Sequence, residues 1–187
     1  MKNILIVVDV QNGFNRSEQT HNLVDKIVEL TNNGLFDKII ATRFRNKEGS
    51  QYTEFLNWHR LIDRPDIELV NGIKADVVID KWIYTCINDE FMLLLNKLND
   101  GEMPTHLFIC GADTDCCVLK TATDIFEKGL MPIVLTEYCD SNAGPKSHDA
   151  GLLVMGRLIG KKCLVSNKIA SKEDIAQIIA TRQYNLQ

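Results

Sequence analysis

The stretch Asn3-Ile4-Leu5-Ile6-Val7-Val8-Asp9 restricts the fold more than any other. It is rich in β-branched residues and carries nothing polar between its two ends, so as a strand it must be covered on both faces. Strands of that kind belong to parallel sheets flanked by helices, because the crossover connections of a parallel sheet lay helices over it. The same pattern recurs at Lys38–Arg43, Asp76–Lys81, Leu107–Cys110, Met131–Leu135 and Cys163–Val165. Between these runs the apolar spacing changes to that of helices at Leu23–Leu30, Phe91–Leu98, Cys116–Phe126 and about His148–Leu158, with a terminal helix at Ser171–Ile179. A shorter helix is expected at Thr53–Leu61, inside a connection from Phe44 to Pro65 that is longer than ordinary strand–helix loops. Strands alternating with helices predict an α/β fold: a doubly wound three-layer αβα sandwich around a mainly parallel sheet of about six strands. With 187 residues, no repeat and no linker-like tract, residues 1–187 are expected to form a single domain.

Charge and composition remove several function classes. A formal charge of −4 with scattered Lys and Arg gives no footprint for nucleic acid. No apolar run approaches the length needed to span a bilayer, and Met1-Lys2-Asn3 leads straight into a strand rather than a signal peptide. Six cysteines, Cys86, Cys110, Cys116, Cys117, Cys139 and Cys163, lack both a paired CxxC spacing and a disulfide-scaffold context. Structural zinc is not expected from them, and a reducing cytoplasm is the expected location.

In open parallel sheets, ligands bind beyond the carboxyl ends of the strands. Asp9 ends the first strand, Lys81 ends the Asp76–Lys81 strand, and Cys117 follows Leu107–Cys110 through Gly111. Thr114 or Asp115 can cap the helix after that strand, which places Cys116 and Cys117 in its first turn. There the helix dipole and free N–H groups favour a thiolate and can hold an oxyanion. Each residue alone has a plainer reading: a small core cysteine, a turn-capping aspartate, a solvated lysine. A carboxylate, an ammonium and a thiol at three strand ends are harder to set aside together.

Three separated segments carry a family resemblance: Asp9-Val10-Gln11-Asn12-Gly13-Phe14, Lys81 closing its strand, and Gly111-Ala112-Asp113-Thr114-Asp115-Cys116-Cys117-Val118. They resemble the isochorismatase-like cysteine hydrolases, a group that includes nicotinamidases and N-carbamoyl amidases, and the resemblance covers nearly the whole chain. It implies Cys117, which directly precedes Val118, as nucleophile in preference to Cys116, with Asp9 as base and acid and Lys81 as electrostatic support. It also implies a cis Ala112–Asp113 bond and an oxyanion hole made by the N–H groups of Asp113 and Cys117. The reaction implied is hydrolysis of a C–N bond in a small amide, ureido or carbamoyl compound through a thioester, without a cofactor. Nicotinamidases carry an Asp-x-His pair and a further His for a metal; the matching Thr42-Arg43-Phe44-Arg45-Asn46 supplies neither ligand, so no metal is expected.

Gln11, Phe14, Trp82 and Tyr84 are the candidates for contact with a small-molecule substrate. Arg43 or Arg45 could receive a substrate carboxylate, since a guanidinium binds one bidentately. His148, which follows a loop at the same sheet edge, is the one alternative base; His106 precedes its strand and belongs at the opposite edge. Partners other than substrate are limited to further copies of the chain: a homo-oligomer is expected, with no nucleic acid and no membrane. Two other classes use the same pocket: a thiol redox sensor built on Cys116 and Cys117, and a catalytically silent binding protein.

Overall fold

The computed structural model describes residues 1–183. Six parallel strands, β1 (Ile4–Val8), β2 (Lys38–Phe44), β3 (Val77–Lys81), β4 (His106–Ala112), β5 (Met131–Asp140) and β6 (Leu164–Val165), form one sheet in the order β3-β2-β1-β4-β5-β6. The chain winds outward from β1 in one direction and, after β3, from β4 in the other. Right-handed crossovers running in opposite directions put their helices on opposite faces, which gives the doubly wound arrangement expected from the sequence. The helices are α1 (Glu18–Asn32), α2 (Gln51–Leu56), α3 (Asp89–Leu98), α4 (Leu119–Glu127), α5 (Pro145–Met155) and α6 (Lys172–Gln183). Helix α1 packs over β4 and β5, and α4 packs against β5 and α5.

Local chemistry sets the helix ends. Ser17 caps α1 by accepting from the Thr20 N–H, Ser50 caps α2 through the Thr53 N–H, and Asn88 caps α3 through the Phe91 N–H. Asp89 and Glu90 in the first turn of α3 and Lys97 in its last complement the helix dipole. All five residues of β1 are fully buried, as the absence of polar alternation requires. Ile27, Leu30, Phe108, Ile109, Ile133 and Val134 complete the centre of the core.

Three of the differences from the sequence reading bear on the site. Helix α2 stops at Leu56 because Asn57 adopts a left-handed conformation at φ 49°, leaving 57–61 as irregular chain. Strand β5 does not end at Leu135. It loses register opposite Ile109 and Gly111, then pairs again at Cys139 and Asp140, carrying Ser141 and Asn142 to the edge where β4 ends. The segment Thr114–Val118 is a single π-helical turn rather than the start of α4, and its first residue follows Asp113, which makes no side-chain cap.

The order reverses between β1 and β4, and Asp9 and Cys117 follow these two strands. Gly111 lets the strands approach at this point. Its φ is +122°, and a Cβ there would lie 2.1 Å from the Val8 carbonyl oxygen. Gly111→Ala is therefore expected to cost about 3–5 kcal/mol, at the top of the range for single substitutions. A denaturant midpoint close to that of the unsubstituted protein would contradict the close approach.

Candidate active site

Asp9 is fully buried at the end of β1, with φ 51°, a backbone conformation uncommon outside glycine. Thr42 on the neighbouring strand β2 fixes it from two directions: the Thr42 hydroxyl donates to Asp9 Oδ1 at 2.7 Å and accepts from the Asp9 N–H at 3.2 Å. The other oxygen, Oδ2, lies 2.6 Å from the Lys81 ammonium, while its angles satisfy no hydrogen bond. Lys81 is itself buried. Its Nζ donates to the carbonyls of Ile83 at 3.1 Å and Tyr84 at 3.0 Å, and to Cys117 Sγ at 3.5 Å. The Phe44 ring centroid lies 5.3 Å from the same ammonium, adding a cation–π contact. Burial pushes the Lys81 ammonium toward neutrality, but the attraction of Asp9 and the Cys117 sulfur outweighs it and leaves the pKa raised.

Cys117 sits in the π turn, nearly sealed from solvent. Burial pushes its thiol well above the ordinary range, the Asp9 carboxylate pushes the same way, and the Lys81 ammonium only partly opposes them. This balance favours the protonated thiol beside the Asp9 carboxylate. Cys116 is no better as a thiolate. Burial, with Asp115 and Asp113 nearby, pushes it up to about 12. A redox sensor works through a low-pKa thiol, whereas burial pushes both members of the pair upward.

The turn is held from behind. The Asp113 carbonyl accepts the N–H groups of Cys116 and Val118, both at 3.1 Å, passing over that of Cys117 between them. Gly151 of α5 lets that helix rest on the turn, since a Cβ there would come within 2.8 Å of the Asp115 Cα. The Ser141 hydroxyl donates to Asp115 Oδ1 at 2.6 Å, and both N–H groups of Asn142, backbone and side chain, donate to Asp113 Oδ1 at 2.9 Å. Burial raises Asp113 to about 6, against the pull of the Asn142 hydrogen bonds. The Ala112–Asp113 peptide bond is cis.

Above Cys117 opens a cavity of about 510 Å³, the size of a small-molecule site. Phe14, Phe44, Tyr52, Trp58 and Tyr84 give it aromatic walls, and Asp113, Cys116, Cys117 and Asn142 form part of its lining. Phe14 and Trp58 stack with planes 19° apart, and Tyr52 meets Tyr84 edge to face. Of the four substrate-contact candidates, Phe14 and Tyr84 line this cavity. Gln11 does not: it is fully buried, its amide donating to the carbonyls of Phe44 and Ile67 and accepting from the Phe44 N–H, so it pins β1 to the 60s loop. Trp82 is half exposed and lines a second cavity together with Lys81, Ile83, Cys86 and Phe91. Arg43 and Arg45 are both engaged by Asp80, and Arg43 also by Glu68.

His148 Nδ1 lies 2.8 Å from the Thr114 hydroxyl behind the turn, and His106 is buried at the amino end of β4. Among the described residues, no group of three or more His, Cys, Asp and Glu is placed so that it could hold a metal ion. At the positions compared with the metal-bearing relatives, Phe44 packs in an apolar cluster with Tyr52, Leu61 and Ile67. The side-chain amide of Asn46 donates to the Trp58 carbonyl and accepts from Ser50. These residues do not fit a metal. Thr42, Asn142, Tyr52, Trp58 and Arg60 were not singled out from sequence; only Thr42, a polar residue inside an apolar strand, carried a local signal.

A model of the Isochorismatase domain matches residues 3–162. No curated protein sequence matches the chain. Among solved structures, a pyrazinamidase of Pyrococcus horikoshii in complex with zinc is 21% identical, with a TM-score of 0.72, covering 89% of this chain and 100% of that one. A nicotinamidase from Bacillus subtilis is 23% identical at a TM-score of 0.70, with 89% and 100% covered. An isochorismatase-like hydrolase from Alkaliphilus metalliredigens is 15% identical at 0.71, with 95% and 98% covered. At such identities the structural likeness establishes the shared fold, whereas the domain match spans most of the sequence. The chain belongs to the isochorismatase family of hydrolases.

Proposed function

We propose that this protein is a cysteine hydrolase that cleaves the C–N bond of a small amide, ureido or carbamoyl compound through a thioester on Cys117. The observation that carries the reading is the buried contact of one ammonium with both a carboxylate and a thiol: Lys81 Nζ lies 2.6 Å from Asp9 Oδ2 and 3.5 Å from Cys117 Sγ. As the sulfur attacks the substrate carbonyl, its proton passes to Asp9 and negative charge moves from the carboxylate toward the sulfur and then to the carbonyl oxygen. Lys81 is adjacent to the charge at its first two positions, so the transfer does not strand an unpaired buried ion. The N–H groups of Asp113 and Cys117 are the proposed donors to the oxyanion. The tetrahedral intermediate then collapses: the C–N bond breaks, and Asp9 returns the proton to the leaving nitrogen. Asp9 next takes a proton from water, whose oxygen attacks the thioester carbonyl and releases the acid and the Cys117 thiol.

This is general-base rather than preformed-thiolate chemistry, and the two are separable by pH. A thiol whose pKa is raised in the folded protein favours the protonated form, and that contribution to stability is present below the ordinary thiol range and lost as pH rises through the raised value. Alkylation of Cys117 by iodoacetamide, followed by peptide mass spectrometry, should therefore keep accelerating above pH 9 with no plateau near neutrality. Asp9→Asn removes the charge that pushes the thiol up, so its alkylation profile should move to lower pH while amide hydrolysis falls by on the order of 10²–10⁴-fold. Faster hydrolysis with faster alkylation, or a wild-type plateau near pH 7, would contradict the assignment.

A further inference from the structure

Asn142 lines the cavity beside Asp113, Cys116 and Cys117, yet no step of the reaction above uses it. The resumed part of β5 carries it there, after Cys139 pairs with Gly111 and Asp140 with Ala112. Both of its N–H donors go to a single oxygen: the backbone N and the side-chain Nδ2 each donate to Asp113 Oδ1 at 2.9 Å. The chain on either side is tied down as well. The Ser141 N–H donates to Asp140 Oδ1 at 2.8 Å, and the Ser141 hydroxyl donates to Asp115 Oδ1 at 2.6 Å while accepting from the Ala143 N–H at 3.2 Å. Two donors on one ionised acceptor make a stronger hold than the same bonds to a neutral oxygen.

Asp113 is thereby fixed through two of its three polar groups. Its carboxylate is held by Asn142, and its carbonyl accepts the N–H groups of Cys116 and Val118, both at 3.1 Å. The third group is its own N–H, which no acceptor takes among the described residues and which is one of the two proposed oxyanion donors. Burial, with Asp115 and Asp9 nearby, works against a charge on Asp113, and the Asn142 hydrogen bonds are the contacts that favour it. Without them a poorly compensated carboxylate would sit on the residue whose backbone must stay still. A donor to an oxyanion is effective only when it is already aimed at the place where the charge forms.

We infer that Asn142 is a positioning residue: by holding the Asp113 carboxylate with both of its N–H groups, it fixes the Asp113 N–H where the oxyanion forms. This rests on the hydrolase reading above and deepens it, assigning the Asn142 side chain to the transition state of acylation and not to substrate binding. Asn142 acts through Asp113, so its effect exists only while residue 113 offers an acceptor.

The test compares two reactions of Cys117 at one fixed pH, each followed over time by peptide mass spectrometry. Acylation by p-nitrophenyl acetate, in which sulfur takes the acetyl group and p-nitrophenolate leaves, passes through an oxyanion. Alkylation by iodoacetamide displaces iodide and does not. Asn142→Ala should slow acylation by about 10-fold, less than for outright loss of an oxyanion donor, and leave alkylation nearly unchanged. A loss of packing alone would move both. In an Asp113→Ala background the same change should matter little, because the group it acts through is gone. A charge-matched pair needs no change at Asn142: Asp113→Asn keeps an acceptor oxygen and Asp113→Ala does not, so Asp113→Asn should acylate faster by about the same factor. Acylation unaffected by Asn142→Ala, equal slowing of both reactions, an undiminished effect after Asp113→Ala, or equal acylation of the two Asp113 variants would overturn the inference. No acylation of Cys117 in the unsubstituted protein would sink the hydrolase reading and this inference with it. Acylation that depends on Asn142 but is never followed by thioester hydrolysis would sink the hydrolase reading alone.

Discussion

Everything at the site depends on a buried ammonium shared by a carboxylate and a thiol. A lysine without water is costly, and here the cost is offset by a carboxylate, two backbone carbonyls and an aromatic face around Lys81. Removing any partner would leave a charge without compensation, so these residues hold one another in place. The sheet makes the arrangement possible. Asp9 and Cys117 leave the adjacent strands where the strand order reverses, Lys81 ends the strand beyond β2, and Thr42 on β2 orients the carboxylate between them.

The same burial sets the chemistry. A thiol at a helix start is ordinarily read as a thiolate, and a dipole argument alone supports that. In this fold the desolvation of Cys117 and the charge on Asp9 exceed what Lys81 returns, which favours the protonated thiol.

Much of this was legible in the sequence because the features that carry it are local. Unalternating apolar runs marked the strands, and Asp9, Lys81 and Cys117, at or after three of their ends, meet in space; β3 departs from the buried pattern, being an edge strand with Val78 exposed. What was not legible depends on tertiary contacts. Gln11 looks like a loop residue facing the ligand, but its amide finds three backbone partners on β2 and the 60s loop. Trp82 follows Lys81 in sequence but lines a second cavity and not the one above Cys117. Arg43 and Arg45 carry the right charge, yet Asp80 lies between them and any ligand. Tyr52, Trp58 and Arg60 reach the cavity from a segment whose path is set by two left-handed residues and by Asn46, and no periodicity reports such a path. Asn142 reaches Asp113 only because β5 resumes pairing after its break.

The most direct measurement of the central claim is intact-protein mass spectrometry after brief exposure to p-nitrophenyl acetate, with the modified peptide identified. If one carboxylate serves both halves of the reaction, Asp9→Asn should still acylate, through its more readily ionised thiol, but be unable to activate water. An acetyl group should then accumulate on Cys117 in Asp9→Asn and turn over in the unsubstituted protein. An acetyl group on Cys116, on neither thiol, or cleared equally fast with and without Asp9 would contradict the account.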